Sequence, residues 1–75
     1  MKEKIISILE KELPPTVNLS SNFLFSELDS LSITLILTVL SDEFGIELDS
    51  TDATPNNFMS VDSITHLVES KLQSK

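Results

Sequence analysis

The sequence has no cysteine, tryptophan or tyrosine, and only one glycine and three prolines among its 75 residues. Without cysteine, the chain can form no disulfide and no cysteine-based metal site or nucleophile. The scarcity of glycine and proline argues against a turn-rich β-sandwich, and the periodic leucine and isoleucine residues favour helices. A chain of this length is expected to form one domain, residues 1–75, with a small core.

Basic residues are also scarce, since five Lys and Arg stand against twelve Asp and Glu, giving a net charge of −7. This balance disfavours nucleic acid and anionic lipid as partners and favours basic protein surfaces. The N-terminal segment "MKEKIISILEKEL" is charged throughout and lacks a small-residue cleavage site, so it does not read as a signal peptide. No apolar stretch is long enough to span a membrane. We therefore expect a cytoplasmic monomer without membrane insertion.

Apolar residues recur at helical spacing in three stretches. The first ends at Pro14-Pro15, because proline lacks an amide donor and restricts the residue before it. The second follows Asp29, a good N-cap, and stops at Gly45, and the third follows the N-cap Ser60. Residues 16–28 are predicted to form a long first loop, which leaves room for a short helical turn. The pattern predicts an all-α bundle of three to four helices. The predicted helices are residues 2–13, 30–44 and 61–73, with a minor helix around 50–54.

The predicted helix 30–44 has two apolar faces. One set falls within an arc of about 100° and should face the core: Ile33, Ile36, Leu37, Leu40 and Phe44. A second set lies on the opposite side and starts directly after Ser30: Leu31, Leu35, Thr38, Val39 and Asp42. We interpret this second set as a docking stripe for partner proteins. The alternative is that neighbouring loops cover it or that its apolar residues are ordinary surface residues.

Other residues give weaker signals of function. Phe23, Phe25 and Phe58 are predicted to fill the core rather than to form a ligand cage, and His66 is predicted to lie on the surface. A serine hydrolase needs a base, an orienting acid and an oxyanion hole, and the Gly-x-Ser-x-Gly motif is absent. Residues 49–60 lack the glycine and the glutamate of a calcium loop. We expect no catalytic residue and no metal site.

Two runs of the sequence resemble the acyl and peptidyl carrier protein family. The run "LDSLSITLILTVLSDEFGIEL" (28–48) contains an Asp-Ser-Leu triplet and, about fourteen residues later, "EFGIEL". The run "TPNNFMSVDSI" (54–64) is similar to the segment that leads into the last helix of many free-standing carriers. Asp-Ser-Leu alone is a weak signal, but both runs in this order in a small acidic chain are a strong one. The resemblance covers residues 23–72.

The resemblance implies a function and a site. Ser30 would carry a covalent 4′-phosphopantetheine arm, added by a separate phosphopantetheinyl transferase that uses coenzyme A. Asp29 would cap the helix and also lie near the metal ion of the modifying complex. The arm would hold an acyl or aminoacyl group as a thioester. Its partners would be an acyl- or aminoacyl-activating ligase and downstream acyl-transfer enzymes, and the chain itself would not be an enzyme.

The sequence also differs from familiar carriers in two ways. The approach "FSELDSL" has no glycine, where many carriers have Leu-Gly-x-Asp-Ser-Leu. The segment before Leu28 is also about two residues short against relatives with a Leu-Asp-Ser entry. The helix that follows Ser30 has only Asp42 and Glu43 as acids, whereas fatty-acid carriers have many, so we expect more apolar docking and a dedicated set of partners. The alternative function is a helical adaptor that docks partners through Leu31, Leu35 and Val39 without a cofactor. The cargo stays open among amino, fatty, polyketide and aryl acids.

Overall fold

The computed structural model describes residues 1–73, and these fold into four α-helices and one 3-10 turn without any strand. This confirms the predicted all-α fold of three to four helices with a long first loop. The short second helix lies within the segment that was predicted as a loop with room for a helical turn. The elements are α1 (Lys2–Glu12), α2 (Leu24–Glu27), α3 (Ser30–Phe44), the 3-10 turn Ser50–Asp52 and α4 (Val61–Gln73).

Helix α1 buries Ile5 and Leu9 and ends one residue earlier than predicted. Leu13, which precedes the two prolines, adopts an extended conformation with ψ 153°. Its N–H still donates to the Leu9 carbonyl at 2.8 Å. The helix therefore ends where the following proline excludes helical geometry from the preceding residue.

Helix α3 begins and ends at the predicted caps. The Asp29 carboxylate accepts a hydrogen bond from the Ser32 N–H at its start. At its end, Gly45 adopts the left-handed conformation with φ 63° and ψ 38°. The Ile46 N–H then donates to the Ser41 carbonyl at 3.1 Å, which closes the helix as a Schellman motif does.

Helix α4 also begins at its predicted cap, because the Ser60 hydroxyl accepts the Ser63 N–H at 3.3 Å. Its inner face is buried, and it includes Thr65, whose hydroxyl donates to the Val61 carbonyl at 2.8 Å. The buried polar group is thus satisfied within its own helix. The inner face comprises Val61, Ile64, Thr65, Leu67 and Val68.

The helices enclose one hydrophobic cluster, to which the loops contribute Ile46 and Phe58, the latter being the largest fully buried side chain. Of the α3 residues predicted to face the core, three are buried and two are half-buried against it. The buried three are Ile36, Leu37 and Leu40, and the half-buried two are Ile33 and Phe44. Burial of this cluster is the main favourable contribution to folding.

Charged side chains join the ends of the helices. Lys2 pairs with Asp62 at 2.7 Å, which brings the start of α1 beside the start of α4. Lys4 pairs with Glu43 at 3.5 Å and lies 5.3 Å from the centre of the Phe44 ring, which brings the start of α1 beside the end of α3. Such exposed pairs contribute little stability individually, about 0–1 kcal/mol each, but they record how the helices are arranged.

The connection between α3 and α4 contains a shorter helical segment than predicted. Instead of a minor helix over 50–54, a 3-10 turn is closed by a capping box between Asp49 and Asp52. Lys71 of α4 pairs with Asp52 at 3.2 Å and fastens the turn to the last helix. Within residues 1–73, no helix is both long and apolar enough to cross a bilayer.

Candidate functional site

Ser30 is the first residue of α3 and is exposed. Asp29 before it is extended, with φ −95° and ψ 176°. The Asp29 carboxylate accepts the Ser32 N–H at 2.8 Å, and the Asp29 carbonyl accepts the Ile33 N–H at 3.0 Å. The Ser30 carbonyl accepts the Thr34 hydroxyl at 2.9 Å. Within residues 1–73, no hydrogen bond occupies the Ser30 hydroxyl itself, which is therefore available for chemistry.

The charge of the capping carboxylate is stabilised in the folded protein. The pKa of the Asp29 carboxyl lies below its ordinary value. The largest cause is the hydrogen bond from the Ser32 N–H, and the Ser32 side chain contributes next. The dipole of α3 also favours negative charge at this end. The first turn is thus well suited to an anionic group, of the kind that a phosphodiester on Ser30 would supply.

The approach to Ser30 is held from both sides despite its lack of glycine. The Leu24 N–H donates to the Met59 carbonyl at 2.9 Å, and the Glu27 carboxylate accepts the Asn18 N–H at 3.0 Å. Leu24 and Leu28 are buried, so the approach is also packed against the core. No non-glycine residue in 1–73 has a positive φ, so the link from α2 to α3 needs no glycine.

The residues of the predicted docking stripe on α3 differ in how exposed they are. Leu31 is 79% exposed. The Thr38 hydroxyl donates to the carbonyl of Thr34, one turn earlier, so the polar end of this side chain is turned back onto its own helix. From Ser30 to Ser41, α3 has no charged residue. Apart from Leu31, the stripe has two half-buried residues, Leu35 and Val39, and two exposed residues, Thr38 and Asp42.

One prediction about the phenylalanines is wrong. Phe58 is fully buried and Phe25 is half-buried against the core, but Phe23 is 76% exposed. Leu24 takes the inward position of α2 in its place. Phe23 instead lies at the rim of a shallow, almost wholly apolar cavity of about 200 Å³. We call its lining the Phe23 patch: Asn22, Phe23, Phe25, Ser26, Pro55 and Met59.

Sequence reasoning missed this patch, because it joins residues 22–26 to residues 55–59 across the fold. The local signal that was available is the spacing of Leu24 and Leu28, which are both buried and lie four residues apart. On a helical turn those two positions share a face, and Phe23 falls outside it.

The remaining chemistry-bearing side chains are dispersed. His66 is exposed on α4, as predicted. The α1 acids Glu3, Glu10 and Glu12 are likewise exposed. Within residues 1–73, no group of three or more His, Cys, Asp or Glu side chains comes close enough together to hold a metal ion.

Comparison with known proteins identifies the family. A family model described as the phosphopantetheine attachment site matches residues 2–69, which is most of the chain. No curated protein and no solved structure gives a significant match. The matched region includes α1, α2 and α3 and most of α4, and it contains the exposed serine at the start of α3.

Proteins of this family act as carriers, and they interact with a transferase and with biosynthetic enzymes. The capped helix start, the unoccupied hydroxyl and the all-helical fold agree with that family match. The chain belongs to the phosphopantetheine attachment-site family and is a carrier protein with a covalent 4′-phosphopantetheine on serine.

Proposed function

We propose that Ser30 is the serine that carries the arm and that the protein is a free-standing acyl carrier protein. The observation that carries this assignment is the free hydroxyl of Ser30 at the capped N-terminus of α3. The neighbouring Ser32 is half-buried, whereas Ser30 is exposed. Four other serine hydroxyls are engaged in hydrogen bonds, those of Ser21, Ser26, Ser41 and Ser60. Exposed Ser20 lies in a loop and does not begin a helix, as Ser30 does.

The modification is a phosphoryl-group transfer to Ser30. The Oγ–H bond of Ser30 breaks and an Oγ–P bond forms, while adenosine 3′,5′-bisphosphate leaves coenzyme A and the proton passes to the transferase or to water. When bound, the arm supplies a thiol that holds the cargo as a thioester. The residues of the chain contribute position: Asp29 fixes the turn that presents Ser30, and the α3 dipole stabilises the new phosphodiester. Asp29 also lies near the metal ion of the modifying complex in this proposal.

Because the sequence has no cysteine, a thioester can form at one site. With no Cys in the sequence, the thiol of the arm is the only thiol of the loaded protein. An activated acyl or aminoacyl group can then form a thioester at one place alone. We propose that a stand-alone acyl- or aminoacyl-activating ligase loads the arm and that downstream acyl-transfer enzymes unload it, in the cytoplasm, from a single-domain monomer over residues 1–75.

The partner surface in this proposal is the α3 stripe: Leu31, Leu35, Thr38, Val39 and Asp42. Exposed Leu31 supports it, and so does the lack of charge between Ser30 and Ser41. A partner that docks there presents an apolar surface rather than the basic patch suited to an acidic helix. The partners are therefore a dedicated set rather than the enzymes of fatty-acid synthesis.

Incubation with a broad-specificity phosphopantetheinyl transferase and coenzyme A tests the assignment. The intact mass is expected to rise by one phosphopantetheine, and peptide mapping is expected to place it on Ser30. Ser30→Ala should stay unmodified, while the matched control Ser32→Ala, two residues away, should still be modified. No adduct on the wild type, or an adduct on Ser30→Ala, overturns the proposal. An unmodified chain that nevertheless binds a partner through Leu31 supports the adaptor function instead.

A further inference from the structure

The two most exposed large apolar side chains in residues 1–73 lie on either side of Ser30 along the chain. Leu31 is 79% exposed and Phe23 is 76% exposed. Met59, which shares the Phe23 patch, is 45% exposed. No charged residue lines that patch, although the chain has a net charge of −7. Exposed apolar side chains grouped around a cavity provide a surface on which a partner can bind.

The Phe23 ring stands on a fixed backbone. Its N–H donates to the Ser21 hydroxyl at 2.9 Å, and its carbonyl accepts the Ser26 hydroxyl at 2.7 Å. The next residue, Leu24, is fully buried and bonded through its N–H to the Met59 carbonyl. Binding then has to order only the Phe23 side chain and not its backbone, and aromatic anchors dominate the binding energy of many interfaces.

The Phe23 patch is close enough to Ser30 to share an interface with it. One turn of α2 and three further Cα steps separate Phe23 from Ser30, so their Cα atoms lie at most about 18 Å apart. A standard interface covers about 800 Å² of each partner, which corresponds to a disc of about 16 Å radius. The upper limit of about 18 Å is close to this radius, so an enzyme surface that covers Ser30 and Leu31 can extend to the patch.

Resting on Ser30 as the attachment residue, we propose that the Phe23 patch is an apolar docking contact for the phosphopantetheinyl transferase, which receives Phe23 and Met59 in an uncharged recess. The transferase is the partner that must cover Ser30 itself, because its reaction forms a bond to the Ser30 oxygen. An enzyme that acts on the thiol carries out its reaction at the far end of the arm, so it can dock on the α3 stripe without covering the Ser30 oxygen. The neutral lining of the patch matches an apolar recess rather than a basic one.

Initial rates of coenzyme A-dependent modification, followed by intact mass against carrier concentration, test this contact. Phe23→Ser is expected to raise KM roughly tenfold and to leave kcat unchanged, because the contact is made equally in the ground and transition states. Phe23→Leu should retain most of the affinity, and Met59→Ser should also raise KM. The matched control His66→Ser, exposed on α4, should behave as the wild type. The ratio of mutant to wild-type KM should persist from about 0.05 to about 0.5 M salt.

Each alternative occupant gives a different result. Equal KM values for wild type, Phe23→Ser and Met59→Ser overturn the docking contact and leave Ser30 as the attachment residue. If KM is equal, and acyl loading raises the thermal midpoint of the wild type but not that of Phe23→Ser, the patch holds cargo. If KM is equal and Phe23→Ser abolishes a concentration-dependent dimer in sedimentation, the patch binds a second copy. An unmodified wild type overturns both this inference and the proposed function.

Discussion

The carboxylate of Asp29 accepts a hydrogen bond of 2.8 Å from the backbone N–H of Ser32. This bond satisfies one of the amide groups that a helix start leaves without a partner. It also fixes Asp29 in an extended conformation, from which Ser30 enters the first turn of α3 with its hydroxyl unoccupied. The residue that caps α3 therefore also holds Ser30 in its exposed position at the start of the helix.

The first prediction concerns the charge on this cap. The hydrogen bonds from Ser32 lower the folded pKa of Asp29 below its unfolded value. Its charge therefore stabilises the fold fully above the unfolded pKa of about 3.9, and this contribution is lost as the pH falls through the lower folded pKa. Asp29→Asn keeps a capping oxygen but has no charge. Its thermal midpoint should lie below that of the wild type at pH 7.

Thermal melts followed by circular dichroism from pH 7 down to about pH 2 measure this gap. The gap should shrink as the pH falls below about 4, because the wild-type cap then becomes neutral as well. Asp29→Ala, which removes the capping oxygen, should lower the thermal midpoint further, by roughly 4–8 °C at pH 7. A gap for Asp29→Asn that is the same at every pH would contradict a charged cap.

The second prediction concerns the end of α3. Gly45 has φ 63°, a conformation that a side chain with a Cβ atom disfavours. Gly45→Ala is expected to lower the free energy of unfolding by about 1–2 kcal/mol, measured by urea denaturation. Gly45→Asn serves as the matched control and should lose less, because asparagine tolerates the left-handed region. Equal losses for the two variants would mean that backbone conformation is not the cause.

The parts of the fold that sequence could predict depend on local chemistry. Asp29, Gly45 and Ser60 mark helix boundaries because each acts on amide or carbonyl groups within a few residues of itself. The same locality made Ser30 recognisable, since the triplet and its helix lie in one run of sequence. The minor helix predicted around 50–54 is a 3-10 turn at Ser50–Asp52, closed by a capping box between Asp49 and Asp52.

The parts that sequence could not predict depend on contacts across the chain. The position of Phe23 was predicted wrongly, because a phenylalanine is usually buried and only the fold shows that Leu24 occupies the inward position. The Phe23 patch likewise requires Met59 to approach α2 over more than thirty residues of sequence. Leu35 and Val39 are half-buried rather than fully outward, which the periodicity of α3 alone could not show.

The third prediction concerns the core. Phe58 has no exposed surface and comes from the connection before α4 rather than from a helix. Phe58→Ala is expected to lower the free energy of unfolding by about 3–5 kcal/mol, because it removes buried ring surface and leaves a cavity. Urea denaturation measures the loss. Met59→Ala, at the adjacent, half-exposed position, is the matched control and should change stability by about 0.5 kcal/mol or less.

The fourth prediction separates the docking stripe from the core. Leu31 is the stripe residue to substitute, because its side chain is 79% exposed, whereas Leu35 is half-buried. Leu31→Ser should leave the thermal midpoint unchanged and raise the KM for the transferase and coenzyme A reaction roughly tenfold, since it removes an apolar contact beside Ser30. Leu35→Glu is expected to lower the thermal midpoint as well, because it places a charge in a half-buried position.

Leu31→Met is the matched control, because it keeps an apolar side chain of similar size at the same exposed position and should be modified as efficiently as the wild type. A Leu31→Ser variant that is modified with wild-type KM would remove Leu31 from the docking surface. A large loss of stability in Leu31→Ser would instead mean that this side chain packs against the fold. The two measurements together thus distinguish a residue that a partner contacts from one that the bundle itself requires.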